Sequence, residues 1–170
     1  QTGLSEREAT EQGYDVEVCH NIKPNKPEYM GGKEMVIKAI ADKTSGRLLG
    51  VQIVGFEGVD KRIDVFATAI TFKANAEDLF HLDLAYAPPF STTKDPVMYT
   101  GMILDNAINK NRPLITAQEL DVLIHSGEKY NLIDARATSQ YEKKHIETAE
   151  NIPQSKLRST AKDRDKDIIA

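Results

Sequence analysis

The segment Glu34-Met35-Val36-Ile37-Lys38-Ala39-Ile40-Ala41-Asp42-Lys43-Thr44-Ser45-Gly46-Arg47-Leu48-Leu49-Gly50-Val51-Gln52-Ile53-Val54-Gly55-Phe56 sets the architecture of the first half of the chain. Val36, Ile37 and Ile40 predict one strand over Glu34–Lys43, and Leu49, Val51 and Ile53 predict a second over Arg47–Phe56, because β-branched side chains suit a pleated, half-buried surface. Thr44-Ser45-Gly46 leaves room only for a turn, so the pair reads as an antiparallel hairpin. Upstream, Val16 and Val18, with His20, fall on one face of Asp15–Ile22 and predict a third strand. The three together make a meander that can hide one face. Ahead of it, Ser5 with Glu8 is a capping-box signature, which predicts a short helix over Glu6–Gln12 ending at Gly13. Lys23–Lys33, with two prolines, Asn25 and Gly31-Gly32, reads as a loop.

Helices to cover the sheet follow. Ile63, Phe66, Ala67 and Ile70 recur at helical spacing and predict a helix over Ile63–Phe72. Ala76–Leu82 reads as a shorter one. Beyond a loop around Pro88-Pro89, Asp95–Asn109 is a long helix whose stripe is Val97, Gly101, Leu104 and Ile108. Met98, Met102 and Ile103 point elsewhere, and a helix apolar on several sides suggests a partner subunit. Asn109–Pro113 is polar and closed by proline, the best boundary in the chain. After it Thr116 with Glu119 opens a helix, Tyr130–Asp134 reads as a buried strand, Thr138–Lys144 as a helix and Glu150–Ile152 as another strand piece. This alternation predicts a parallel sheet. A charged stretch, Lys162–Asp167, then leads into Ile168-Ile169-Ala170, which resembles the opening of a strand. The fold class is therefore α+β over residues 1–112, an antiparallel sheet with helices on one face. Residues 113–170 read as the incomplete start of an α/β domain, truncated within it.

Composition narrows the function. With 40% hydrophobic and 28% charged residues the 170-residue chain is globular rather than disordered. A formal net charge of −4, with dispersed Lys and Arg, disfavours nucleic acid as a partner. No apolar run is long enough to span a membrane, and Gln1–Thr10 lacks a secretory pattern, so a cytoplasmic protein is expected. The single cysteine, Cys19, excludes a disulfide framework, a multi-cysteine zinc site and an internal two-cysteine redox couple. Cys19 and His20 are strand neighbours on opposite faces and cannot form a nucleophile–base couple. His20, His81, His125 and His145 show no metal-binding spacing, so no metal is expected. Gly50, Gly55 and Gly58 do not follow a dinucleotide-binding pattern, so this chain is expected to bind no cofactor of its own.

What stands out is Leu84-Ala85-Tyr86-Ala87-Pro88-Pro89-Phe90-Ser91. Two prolines stiffen the loop and hold Tyr86 and Phe90 at defined places. Tyrosine offers a flat body with a hydrogen-bonding tip, suited to a ligand or an interface. Packing of Tyr86 within its own fold explains the spacing equally well. Tyr29, in Lys26-Pro27-Glu28-Tyr29-Met30-Gly31-Gly32, invites the same question.

A resemblance enters on these blocks. Gly3-Leu4-Ser5-Glu6, Ala9, Gly13-Tyr14, Leu49-Gly50-Val51-Gln52, the Ile63–Ala74 helix, Leu84–Ser91 and Asp95-Pro96 run in one family's order. They resemble the C-terminal dimerisation domain of pyridine nucleotide–disulfide oxidoreductases, in the branch of coenzyme A-disulfide reductase, persulfide reductase and NADH oxidase. Ile133-Asp134-Ala135-Arg136, Tyr141-Glu142, His145-Ile146, Ala149, Asn151-Ile152-Pro153 and Leu157-Arg158 resemble the start of a rhodanese domain.

The resemblance implies a parent enzyme that is an FAD- and NAD(P)H-dependent oxidoreductase. It acts on a disulfide, a persulfide or oxygen, with the electron acceptor and the choice of NADH or NADPH left open. It implies a homodimer whose FAD and NADH domains lie outside this chain, with this fragment inactive alone and binding no cofactor. It also implies that Tyr86, and less directly Tyr29, assist the reactive cysteine of the partner subunit, whereas the histidine base of the glutathione-reductase branch is not matched. The rhodanese family's sulfur-carrying cysteine has no counterpart here, so sulfurtransferase activity is not expected. Asp134, Arg136 and His145 are expected to brace the domain. The alternative is a free-standing oligomerisation or scaffold module without catalytic activity.

Overall fold

The computed structural model describes residues 1–157, 159–160 and 167–169. Arg158, most of the charged stretch before the last strand and Ala170 lie outside the described residues. The chain divides into two compact units, Gln1–Thr116 and Ala117–Ala170.

The first unit is built on the hairpin. Strands β2 (Val16–Pro24), β3 (Glu34–Asp42) and β4 (Leu48–Gly55) form the antiparallel meander, and a two-residue β1 (Thr2–Gly3) pairs with β4, giving the order β1-β4-β3-β2. β1 is too short to show any period, which is why the sequence predicts only three strands. β2 runs two residues beyond Ile22, because Pro24 still pairs with Glu34. The Thr44–Gly46 turn is held by Asp42, whose carboxylate accepts from the Ser45 N–H at 3.1 Å and the Thr44 N–H at 3.4 Å.

The sheet has two differently covered faces. Helices α2 (Val59–Thr71), α3 (Ala76–Phe80) and α4 (Pro96–Asn109) lie on one, burying Cys19, Ile37, Val51, Phe66, Leu79 and Leu104. On the other, the capping-box helix α1 (Glu6–Glu11) covers only one end, where Ala9 packs on Ile40 and Leu49. Leu48 and Leu49 are both buried yet belong to opposite faces. The register between β3 and β4 slips at Ile40/Ala41, where Ile40 pairs with Gly50 and Ala41 with Leu48, leaving Leu49 as a bulge. Gly50 is required there, since a Cβ would sit 1.8 Å from the Leu4 carbonyl oxygen. The far end of this face is open: Ile22, Val36 and Val54 pair side by side and are all exposed.

One inward-facing strand position is polar. Asn21 is buried beside Cys19's row and its amide donates to the Pro96 carbonyl at 3.1 Å and to the Thr100 hydroxyl at 3.0 Å. It ties the first turn of α4 to β2.

The second unit contains α5 (Ala117–Ser126), β5 (Tyr130–Asp134), α6 (Thr138–Tyr141), β6 (Glu150–Asn151), α7 (Gln154–Leu157) and β7 (Asp167–Ile169). Both neighbours of β5 run parallel to it, in the order β6-β5-β7. Consecutive residues Leu132 and Ile133 are both buried, the mark of a strand covered on two faces. α6 is shorter than the predicted Thr138–Lys144: its bonding loosens from 2.9 Å at Glu142 to 3.4 Å at Lys144.

Replacing Asn21 by Ala is expected to destabilise the first unit by about 1–3 kcal/mol, since buried acceptors on α4 lose their donor. Hydrogen exchange of β2 and α4 amides in the full chain checks this, with faster exchange in both elements as the expected result.

Candidate functional site

Two exposed loops carry the tyrosines, and one buried ion pair lies beneath both. The loop 25–33 closes like a hairpin: Asn25 N–H donates to the Lys33 carbonyl at 2.9 Å, and Lys33 N–H returns a bond to Asn25 Oδ1 at 2.7 Å. At its tip a single 3-10 turn, Glu28–Met30, lifts Tyr29 outward, 76% exposed. Lys26 pairs with Glu57 at 3.1 Å across the neck. In the second loop, Phe90 and Ser91 N–H both donate to the Ala87 carbonyl, at 2.9 and 3.1 Å, so the chain folds back over Pro88-Pro89. Tyr86 stands just before this turn, 48% exposed. Neither phenol hydrogen-bonds another described residue.

Arg62 links these loops. It is 1% exposed, an unusual burial for a guanidinium. Its Nη2 donates to Asp95 Oδ2 at 2.8 Å and to the Asn25 carbonyl at 2.9 Å, and its Nε reaches Asp95 Oδ1 at 3.3 Å. Nη1 donates to the Gly58 carbonyl at 3.0 Å. Gly58 precedes α2 with φ near 69°, and a Cβ on it would meet Nη1 at 2.4 Å, so no other residue leaves the guanidinium this space. Asp95 is also the N-cap of α4, accepting from Val97 N–H at 3.0 Å, and takes a bond from the buried Ser91 hydroxyl at 2.7 Å. Burial by itself would raise the Asp95 carboxyl. The bonds from Arg62, Val97 N–H and Ser91, with the Arg62 charge, outweigh that and hold it below the usual carboxylate range.

Sequence reasoning singles out both tyrosines and passes over Arg62 and Asn21. Arg62 falls next to the apolar stripe of α2, and α2 begins at Val59 rather than Ile63 because Gly58 and Arg62 close its first turn. A basic residue one position before a helical apolar stripe, with Asp95 at the start of the predicted Asp95–Asn109 helix, is the only signal available.

The other candidates resolve into structural roles. Cys19 is fully buried; loss of hydration, with Glu17 nearby, pushes its thiol up to about 12. His20 is exposed on the opposite side of the strand. Among the described residues no group of three or more His, Cys, Asp or Glu side chains is placed to hold a metal. In the second unit, Arg136 Nε bonds Asp134 at 2.9 and 3.0 Å and its Nη2 bonds the Lys144 carbonyl at 2.8 Å. The hydrogen bond from Arg136 chiefly holds the Asp134 carboxyl below its usual range. His145 stacks on Tyr141 with ring centroids 3.8 Å apart. These contacts brace the unit.

The first unit is thus a four-stranded antiparallel sheet backed by three helices, with two loops that expose tyrosines. Residues 1–96 match the family described as "Pyridine nucleotide-disulphide oxidoreductase, dimerisation domain", and the chain belongs to that family. Residues 116–170 match "Rhodanese-like domain". The chain is 44% identical over 104 residues to the NAD(P)H sulfur oxidoreductase (CoA-dependent) of Pyrococcus furiosus, covering 61% of this chain and 23% of that protein. It is similar to the crystal structure of reduced Bacillus anthracis CoADR-RHD, with TM-score 0.89 and 35% identity, covering 98% of this chain and 30% of that one. A NAD-dependent persulfide reductase from A. fulgidus matches with TM-score 0.81 and 32% identity, again over 98% of this chain and 30% of the other. The chain thus spans about a quarter of the length of the curated relative, at 23%.

Because the folded pKa of Asp95 lies below its unfolded value, the stability it confers is present above the unfolded pKa. It is lost as pH falls through the folded one. Thermal unfolding of the full chain from about pH 7 to about pH 3 is expected to show this acid-side loss. Asp95→Asn is expected to be less stable near neutrality and to show a flatter acid limb.

Proposed function

We propose that this chain is the dimerisation and rhodanese-like part of an FAD- and NAD(P)H-dependent cytoplasmic reductase acting on a disulfide, a persulfide or oxygen. The observation that carries the reading is Tyr86: a half-exposed phenol with no hydrogen-bond partner among the described residues, on a proline-stiffened loop pinned from below. The likeness to the Pyrococcus furiosus relative and to CoADR-RHD supports the assignment of the branch.

Among the described residues no set fits a flavin or a nicotinamide. The sequence has no Gly-x-Gly-x-x-Gly turn, and Gly50 and Gly58 are accounted for by Leu4 and Arg62. In this reading those cofactors are held elsewhere in the parent, and Cys19, buried and kept as a thiol, is not its redox cysteine. What this chain contributes is a surface. Two copies associate through the helical face, where Val65, Ala69, Phe72, Leu79, Leu82 and Leu84 line an apolar groove of about 390 Å³. Phe72 is 80% exposed beside it, a large apolar area of the kind that marks an interface. The dimer brings Tyr86, with Tyr29, to the partner subunit's redox site. A phenol there donates a hydrogen bond to a sulfur that gains negative charge as its S–S bond breaks, and supplies a proton to the leaving thiolate. The phenol needs no internal partner because its acceptor arrives with the substrate.

In the full reductase, Tyr86→Phe is expected to slow the disulfide or persulfide half-reaction on the order of a hundredfold. Reduction of the flavin by NAD(P)H is expected to stay nearly unchanged. Rapid-mixing absorbance of the flavin separates the two steps, and equal slowing of both would remove the assigned role.

A further inference from the structure

We propose that Arg62 is a positioning residue that fixes the Tyr29 and Tyr86 loops in one relation, so that the two phenols are set jointly rather than separately. Its consequence for turnover rests on the function proposed above; the coupling itself does not.

The argument begins with what else holds each loop. The Asn25–Lys33 bonds close the Tyr29 loop on the β2–β3 ladder, and the bonds inside 87–91 shape the Tyr86 loop, but neither set links one loop to the other. Lys26–Glu57 is a partly exposed pair, a class worth about 0–1 kcal/mol, and Asn25 Nδ2 adds a long 3.4 Å bond to the same carboxylate. Leu84 packs against the core and holds one end of the Tyr86 loop. The other end is held through Ser91 and Asp95, both nearly inaccessible to solvent. The neck of the Tyr29 loop is held through the Asn25 carbonyl. Both attachments converge on one guanidinium, and a single nitrogen, Nη2, serves Asn25 and Asp95 together.

Geometry makes this a task for arginine. A planar fork with five N–H donors can bond two carboxylate oxygens and two carbonyls in different directions at once. A lysine at the same place keeps the charge and one contact to Asp95, but it lacks the fork that spans Gly58, Asn25 and Asp95. Charge and positioning can therefore be separated by one conservative substitution.

The experiment uses the full chain with 3-fluorotyrosine in place of its six tyrosines. Fluorine resonances are assigned by Tyr29→Phe and Tyr86→Phe. In Arg62→Lys the Tyr29 and Tyr86 resonances are both expected to shift and broaden, while those of Tyr130 and Tyr141 in the second unit stay in place. Ser91→Ala removes the bond to Asp95 and a 3.5 Å contact with Arg62 Nη2 but keeps the Arg62–Asn25 bond, and is expected to move Tyr86 and leave Tyr29. If Arg62→Lys perturbs one resonance or neither, the joint role is overturned. Should that variant fail to fold, Asp95→Asn, which keeps an N-cap side chain, is read instead: movement of both resonances supports the proposal and movement of Tyr86 alone overturns it. The readout requires neither flavin nor turnover. Coupled resonances together with a Tyr86→Phe reductase of normal disulfide rate would refute the catalytic reading and leave the coupling in force.

Discussion

The Arg62–Asp95 pair is the constraint on which the arrangement of the first unit depends. A buried ion pair is seldom worth more than well-packed apolar side chains of the same volume, because desolvation offsets most of the attraction. What it supplies is direction. An apolar contact at this point would let α2, α4 and two loops slide over one another at little cost. A guanidinium with acceptors at Gly58, Asn25 and Asp95 admits one solution. Removing one partner leaves a buried charge unpaired, at a cost of about 3–5 kcal/mol, so the geometry is enforced as well as specified.

The sheet beneath is asymmetric for a related reason. Its helix-covered face is a continuous apolar core, and Asn21 is the polar exception that places α4. Its other face changes character along the strands. Leu49 and Ile40 are covered by α1, the next row of His20, Lys38 and Gln52 is polar, and the last row of Ile22, Val36 and Val54 is bare. The bulge at Leu49 makes this possible, since it sends adjacent leucines to opposite faces without breaking the hairpin. Bare apolar rows on the sheet and Phe72 on the helices are what a domain exposes when its fold is completed by other surfaces.

Much of this was legible in the residues, and the failures have physical causes. Hairpin, capping box and α4 follow from local patterns that tertiary contacts do not override, although Asp95 turns out to cap α4 rather than to lie within it. The parallel strand β5 is likewise readable, because Leu132 and Ile133 have no polar neighbour between them. β1 was not, as two residues carry no period and their pairing depends on Gly50 leaving room for Leu4. Bulges escape periodicity by definition, so Leu48 and Leu49 could not be assigned faces. Arg62 and Asn21 were invisible for a deeper reason: a polar residue in an apolar pattern looks like surface until its partners, 33 and 75 positions away, are brought together. The tyrosine loops draw attention because proline leaves a local mark, whereas the pair beneath them leaves none.

Tyrosine itself shows how a structural phenol differs from a waiting one. Tyr141 spends its hydroxyl on the Ala149 carbonyl at 2.9 Å and stacks its ring on His145. Tyr99 offers its ring to Lys23, 4.3 Å from the centroid. Each is used by the chain that carries it. Among the described residues neither Tyr29 nor Tyr86 has such a partner, although each stands on or beside a turn closed by backbone hydrogen bonds. Flexible loops would expose phenols cheaply through disorder; here the prolines, the Asn25–Lys33 closure and Arg62 remove that freedom, at an entropic cost of roughly 1–2 kcal/mol for each residue fixed. In the function proposed above, the gain comes from outside the fold: a rigid donor meets a developing sulfur anion without having to reorganise, and preorganisation is where such a donor has its effect on a rate.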